Sequence, residues 1–303
     1  MRTIRPPETP AHLMPIPRVT VLMGPTATGK TERALEWAHR SGAWILSADA
    51  LQFYRGADLG TAKPSRAERA ALPHYGIDVA EPDEPWDVRR YADYARAVVD
   101  AAARAGVPVL VVGGSGLYLS VFHAPPPDPV DIPPAVREEV AALAAAGGTR
   151  ALRERLLSLD PDPPVDLRNP RRLAPALERV LATGLPVREL QRRHAERPCA
   201  FADCEREWFL LDRPDEELAD RIERRTRAML AGGLLAEVRA LAARGLRTNP
   251  TLASAIGYRE GLEVLAGDRG ESTLATAINA ATFRLVRRQR RWFARRMPDA
   301  VAL

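Results

Sequence analysis

Residues 24–31 read GPTATGKT, a glycine, four residues, then Gly-Lys-Thr. In a loop of this pattern backbone N–H groups turn inward onto phosphate oxygens. The lysine reaches the terminal phosphates, and the threonine hydroxyl is placed to ligate Mg²⁺. Gly24, Pro25, Thr26, Ala27, Thr28 and Gly29 would form the cradle, with Lys30 and Thr31 in the two named roles. The positive end of a following helix adds to the attraction for the anion. The pattern alone does not say which diphosphate or triphosphate is held.

Other residue types point to the same place. Asp49 closes an apolar run, AWILSAD, at the strand end where ligands collect in a parallel sheet. It can ligate Mg²⁺ through water or act as a base, and an aspartate that merely caps a turn is the alternative. Residues 113–118, GGSGLY, end another apolar run, and paired glycines permit close backbone approach to a ligand. Leu218, Ile222, Arg225 and Met229 recur at spacings of 4, 3 and 4, with Arg221 one turn before Arg225. An arginine on an apolar stripe is costly to bury without an anion, so a bound diphosphate is the sharper reading and snorkelling to solvent the plainer one. Five scattered histidines, and Cys199 with Cys204, show no metal spacing and receive no role.

These residues need a scaffold. RVTVLM (18–23), AWILSAD (43–49) and VPVLVVGG (107–114) are short apolar, β-branched runs that alternate with helical stretches. That order predicts a parallel sheet covered by helices, an α/β core of the P-loop NTPase or kinase kind. A proline-rich stretch, APPPDPVDIPP (124–134), ends the first half as a stiff linker. Residues 135–195 read as helices only. EWFLLD (207–212) returns to strand character, and Asp212 with Pro214 predicts the start of a long helix. Two or three further helices are expected after it. The division expected is a flexible leader over 1–17, a core over 18–123 and 200–303, and a helical insertion over 124–199.

Composition narrows the class. With 46% hydrophobic and 27% charged residues, the 303-residue chain is neither collagenous nor disordered. No apolar run reaches the roughly 18 residues of a membrane span, and the first residues carry no secretory apolar region. A cytoplasmic monomer away from membranes is the expectation. The net charge of +5 is mild, but residues 283–296, FRLVRRQRRWFARR, hold seven arginines and no acid. Such density marks a polyanion partner, against the plainer reading of a solvated helix face. Lys30 and Lys63 are the only lysines, so a lysine kept in so arginine-rich a chain points to a site that needs a compact ammonium.

Taken in order, the motifs resemble the tRNA dimethylallyltransferase family in its shorter bacterial form. The matching segments are GPTATGKT, SADALQFYRGADLGTAKP (47–64), PHYGID (73–78), GGSGLY, NPRRLAPALE (169–178), RIERRTRAML (221–230), AIGYRE (255–260) and TFRLVRRQRRWF (282–293). The resemblance implies transfer of a dimethylallyl group from dimethylallyl diphosphate to N6 of adenosine 37, beside the anticodon, with Mg²⁺ and release of pyrophosphate. It implies a helical insertion that helps hold the anticodon stem-loop. Carried over, Asp49 is the base at N6, Ser115 lies near the reacting centre where the family usually has threonine, and Arg225 contacts the diphosphate. RNA contacts fall on Asp49, Ala50, Leu51, Gln52, Ser115, Arg137, Arg171, Arg172, Gly257, Tyr258, Arg259, Arg284, Arg287, Arg288 and Gln289.

The chain departs from the family pattern at Ala50, where serine is usual, and at Pro175, where arginine is usual. Arg287 and Arg288 stand where Lys-Arg is common. A nucleotide or small-molecule kinase shares the phosphate loop, and a non-catalytic RNA-binding protein shares the arginines. Neither accounts for the loop, the GTAKP segment and the basic C-terminal helix together.

Overall fold

A computed structural model describes residues 16–125, 130–297 and 299–303. Most of the expected leader and residues 126–129 of the proline stretch lie outside the described residues. The chain divides into two compact units, Met1–His123 with Ala200–Leu303, and Ala124–Cys199.

The first unit is built on a six-stranded sheet in the order β3-β2-β4-β1-β5-β6, every neighbouring pair parallel. The strands are β1 (Arg18–Met23), β2 (Trp44–Ser47), β3 (His74–Tyr75), β4 (Val109–Gly113), β5 (Glu205–Leu210) and β6 (Val301–Ala302). Register sets Met23 beside both Gly113 and Leu210, and Ser47 beside Val112. The carboxyl ends of four strands are therefore level, and the loops that follow them emerge along one edge.

Helices connect the strands: α1 (Lys30–Ser41), α2 (Arg66–Ala71), α3 (Val88–Arg104) and α4 (Gly116–Leu119). Ala34 and Ala38 of α1 pack with Leu22, Ile45 and Leu110 of the sheet, which anchors the helix that the phosphate loop feeds. The second unit holds α5 (Pro134–Leu159), α6 (Pro170–Thr183) and α7 (Val187–Ala195) around a core of Val140, Leu152, Leu156, Leu173, Leu177 and Val180. α5 breaks at Gly148, whose φ is 58°. After β5 come α8 (Asp215–Ala231), α9 (Leu234–Ala242), α10 (Pro250–Ala253), α11 (Tyr258–Ala266) and α12 (Leu274–Arg296). Leu218 and Ile222 of α8 pack on Val286 of α12, so the apolar positions of the arginine-bearing stripe are core. Among the described residues no helix is long and apolar enough to cross a membrane.

Three expectations change, the first in number: among the described residues four helices, α9 to α12, follow α8 where two or three were expected. Asp212 does not cap the long helix: α8 starts at Asp215 after Pro214, and the Asp212 carboxylate instead accepts from Arg290 Nε at 2.8 Å. The edge strands β3 and β6, two residues each, and the short α2 have no counterpart in the sequence reading. Strands so short carry no periodicity and exist because a neighbour pairs with them.

Candidate active site

The phosphate loop occupies residues 24–29 between β1 and α1. Gly29 has φ 90°, a left-handed turn that favours glycine, and Ala27 is also left-handed at φ 68°. Alternation of this kind turns successive N–H groups to one side. Two of the loop carbonyls are held by arginines. Arg213 Nε donates to Thr28 O at 2.7 Å, and Arg221 Nε donates to Ala27 O at 2.8 Å. Arg225 Nη1 donates to the Thr26 hydroxyl at 3.0 Å. Thr28 is fully buried, its hydroxyl donating to Pro25 O at 3.0 Å. Three arginines thus brace three consecutive loop residues, two of them from α8.

Lys30 Nζ reaches back across the loop to Pro25 O at 2.5 Å. Burial lowers the Lys30 ammonium to about 8, with Asp49 opposing that shift and Arg225 reinforcing it. Burial also lowers the Arg225 guanidinium from its ordinary value. Both cations are therefore poorly solvated, a state in which an arriving anion is bound strongly.

A cleft of about 510 Å³ opens along the loop, lined by Thr26, Ala27, Gly29, Lys30, Thr31, Asp49, Arg221 and Arg225 among others. A second cavity of about 110 Å³ has apolar walls from Leu51, Ile222, Met229, Ile256, Ile278 and Leu285. Thr26, Asp49, Thr61, Arg225 and Gln289 line both. Asp49 therefore stands at the junction, and its Oδ1 accepts from Leu51 N at 2.9 Å, which holds the carboxylate beyond β2. The arrangement joins an anion site to a smaller chamber, apolar over about half of its lining, through one carboxylate, Asp49, and one cation, Arg225.

Not every expected site residue is here. Ser115 precedes α4 and directly follows Gly113 and Gly114, which line the large cleft, while Ser115 itself is among the lining residues of neither cavity. Tyr258 is fully buried and its hydroxyl donates to Glu237 at 2.6 Å, so it presents no surface to RNA. Gln289 is an internal brace: its Oε1 accepts from Thr26 N at 2.9 Å and its Nε2 donates to Gly114 O at 2.8 Å. It ties the phosphate loop to the GGSGLY turn. Gln52 lines the large cleft and accepts from Ser47 Oγ at 2.8 Å; Leu51 lines the small cavity; Ala50 lines neither. Gly257 turns the chain into α11, and Arg259 pairs with Glu260. Arg284, Arg287 and Arg288 are exposed on α12, whereas the adjacent Arg290 is spent on Asp212 and Asp215. In the second unit Arg137, Arg171 and Arg172 are exposed. Pro175 sits inside α6 and leaves the helix one N–H short. Arg213, a brace on the loop, had no signal in the sequence, because its partner lies 185 residues away.

The family described as IPP transferase matches residues 52–296, and the one described as isopentenyl transferase matches residues 17–74. The chain belongs to the IPP transferase family. A tRNA dimethylallyltransferase of Opitutus terrae is 46% identical to it, covering 93% of this chain and 92% of the relative. One of Anaeromyxobacter is 43% identical, covering 92% of each. Among solved structures, the tRNA isopentenylpyrophosphate transferase of Bacillus halodurans has a TM-score of 0.68 at 29% identity, over 94% of this chain and 89% of that one. A eukaryotic dimethylallyltransferase crystallised while acting on tRNA shares the fold at a TM-score of 0.75 and 21% identity, over 91% and 70%. Family membership and the six-stranded parallel sheet place the core among P-loop NTPase-like folds.

Proposed function

We propose that this chain transfers a dimethylallyl group from dimethylallyl diphosphate to N6 of adenosine 37 in the anticodon loop of tRNA. The observation that carries this reading is Asp49, shared by the phosphate cleft and the smaller cavity that Leu51, Ile222, Met229, Ile256, Ile278 and Leu285 help to line. The amine of adenine is a weak nucleophile. Asp49 accepts its proton as N6 bonds to C1 of the dimethylallyl group. The C1–O bond breaks and diphosphate leaves with the electron pair. Lys30, Arg225 and the loop N–H groups stabilise that charge. The base must leave its stack to reach the junction, which an anticodon loop permits more readily than a duplex.

The donor set suits Mg²⁺. The Thr31 hydroxyl lines the cleft, a hard oxygen of the kind that Mg²⁺ takes in small number beside phosphate oxygens and water. When bound there, Mg²⁺ would neutralise diphosphate charge. The kinase reading is not favoured. β4, next to β1 in the sheet, ends in Gly113 followed by Gly114, where a nucleotide-hydrolysing site of this class would place an aspartate for the metal.

Because the free Lys30 ammonium titrates at about 8, diphosphate capture is strongest below that pH and declines as pH rises through it. The expected result is a kcat/KM for dimethylallyl diphosphate that falls above about pH 8, a limb reporting the free enzyme. Lys30→Arg should remove the limb, since arginine stays charged. A limb that persists in that variant would assign the titration to another group.

The exposed Arg284, Arg287, Arg288 and Arg291 recur at spacings of 3, 1 and 3 along α12 and form one basic stripe. Phosphate contacts of this kind position RNA without reading bases. Replacing Arg287 and Arg288 together by Ala should raise the KM for tRNA and leave that for dimethylallyl diphosphate unchanged. The log–log salt slope of tRNA binding should flatten by about one unit per lost contact. An unchanged slope would reduce these arginines to a solvated face.

A further inference from the structure

The stretch 57–64, which contains GTAKP, is neither helix nor strand, yet it walls the place where the two cavities meet. Thr61 lines both cavities, Gly60 the smaller one, and Ala62 and Pro64 the larger. Irregular segments of this sort are ordinarily mobile. This one is gripped from two sides by side chains that line neither cavity.

On one side is Glu237 of α9. Its Oε2 accepts from the backbone N–H of Asp58 at 3.1 Å and of Leu59 at 2.8 Å. Its Oε1 accepts from Gly60 N at 3.2 Å and from the Tyr258 hydroxyl at 2.6 Å. Three successive N–H groups aimed at one anion make a nest, here filled by the protein's own carboxylate. The Tyr258 ring closes over Gly60, where a Cβ would lie 2.5 Å from it.

On the other side is Lys63, its side chain 2% exposed. Its Nζ donates to Tyr54 O at 2.6 Å, Asp58 Oδ1 at 2.9 Å and Asp78 Oδ1 at 2.6 Å. The ammonium's three protons meet three acceptors, and a planar guanidinium has neither that spread nor that size. Asp78 is shared with Arg69 Nη1 at 2.5 Å. Between the two grips Ala62 is held at φ 49°, a left-handed conformation that an alanine keeps only where its surroundings over-determine it.

We propose that Glu237 and Lys63 are positioning residues for the transfer reaction, a two-sided clamp that fixes the 57–64 wall so that Thr61 shares the junction with Asp49. The role rests on the transfer reaction proposed above. It also explains why one of only two lysines in the chain is found away from the phosphate loop.

The test uses the full chain as wild type, Glu237→Gln, Tyr258→Phe and Lys63→Arg, assayed well below each melting temperature. Wild type is first checked for transfer of label from dimethylallyl diphosphate to tRNA. A failure there refutes the reaction, while amide exchange still reads the clamp. With wild type active, Glu237→Gln and Lys63→Arg should lower kcat by about 10- to 100-fold, the scale of an ångström-sized misplacement, with both KM values within about three-fold. Tyr258→Phe, which removes a single donor and keeps the ring over Gly60, should give a smaller loss of the same kind. Hydrogen exchange at the amides of residues 58–60 should be slow in wild type and faster in Glu237→Gln, with exchange in α1 and the sheet unchanged. Wild-type kcat in either Glu237→Gln or Lys63→Arg, or unchanged exchange at 58–60 in Glu237→Gln, would overturn the proposal.

Discussion

Asp49→Asn should lower turnover by about 10²-fold or more, the range expected when a general base is lost. Asparagine retains an oxygen to accept from Leu51 N–H, the contact now made at 2.9 Å, so the turn beyond β2 survives and only the proton acceptor is removed. Binding of tRNA should stay within a few-fold, because phosphate contacts, proposed above to come from the exposed arginines, dominate binding of this kind. Asp49→Ala should lose turnover at least as severely, since it also releases the turn. Steady-state kinetics on both variants, with tRNA binding measured in parallel, checks this. Near-normal turnover in Asp49→Asn would remove the carboxylate from the chemistry.

The second large effect concerns the leaving group. Lys30→Ala and Arg225→Ala should each lower kcat/KM for dimethylallyl diphosphate by about 10²–10³-fold, as the loss of a preorganised charge donor in an enclosed site does. Both side chains line the cleft, and Arg225 also holds the Thr26 hydroxyl, so its loss loosens the loop as well as the anion. Isothermal binding of inorganic pyrophosphate should weaken in step with the kinetic loss. ATP should not replace dimethylallyl diphosphate as group donor in the wild type. Phosphoryl transfer or ATP hydrolysis faster than prenyl transfer would return the site to the kinase reading.

What could be read in the sequence was what is local or periodic. The phosphate loop is contiguous, so the eight residues of GPTATGKT carry the strand, turn and helix start with them. The Arg221 and Arg225 stripe follows from helical spacing, and α8 delivers both to the loop. Longer reach was lost. Tyr258 lies in a motif associated with RNA, but its burial is decided by Gly60 and Glu237, which stand 198 and 21 positions away. Gln289 sits among arginines that face solvent, and a helix turns it inward to the phosphate loop 263 positions away. Asp212 and Pro214 carry the signs of a helix start, yet the aspartate was taken by Arg290, a partner that no local pattern names.

The most direct test of the central claim is to incubate the purified chain with Mg²⁺, dimethylallyl diphosphate labelled in its prenyl group and tRNA lacking the modification, then digest the RNA and separate its nucleosides. Label recovered in N6-dimethylallyladenosine at position 37, with one pyrophosphate released for each group transferred, is the expected result. Label absent from adenosine, or found on a different base, while the same tRNA is modified by one of the related tRNA dimethylallyltransferases, would contradict it.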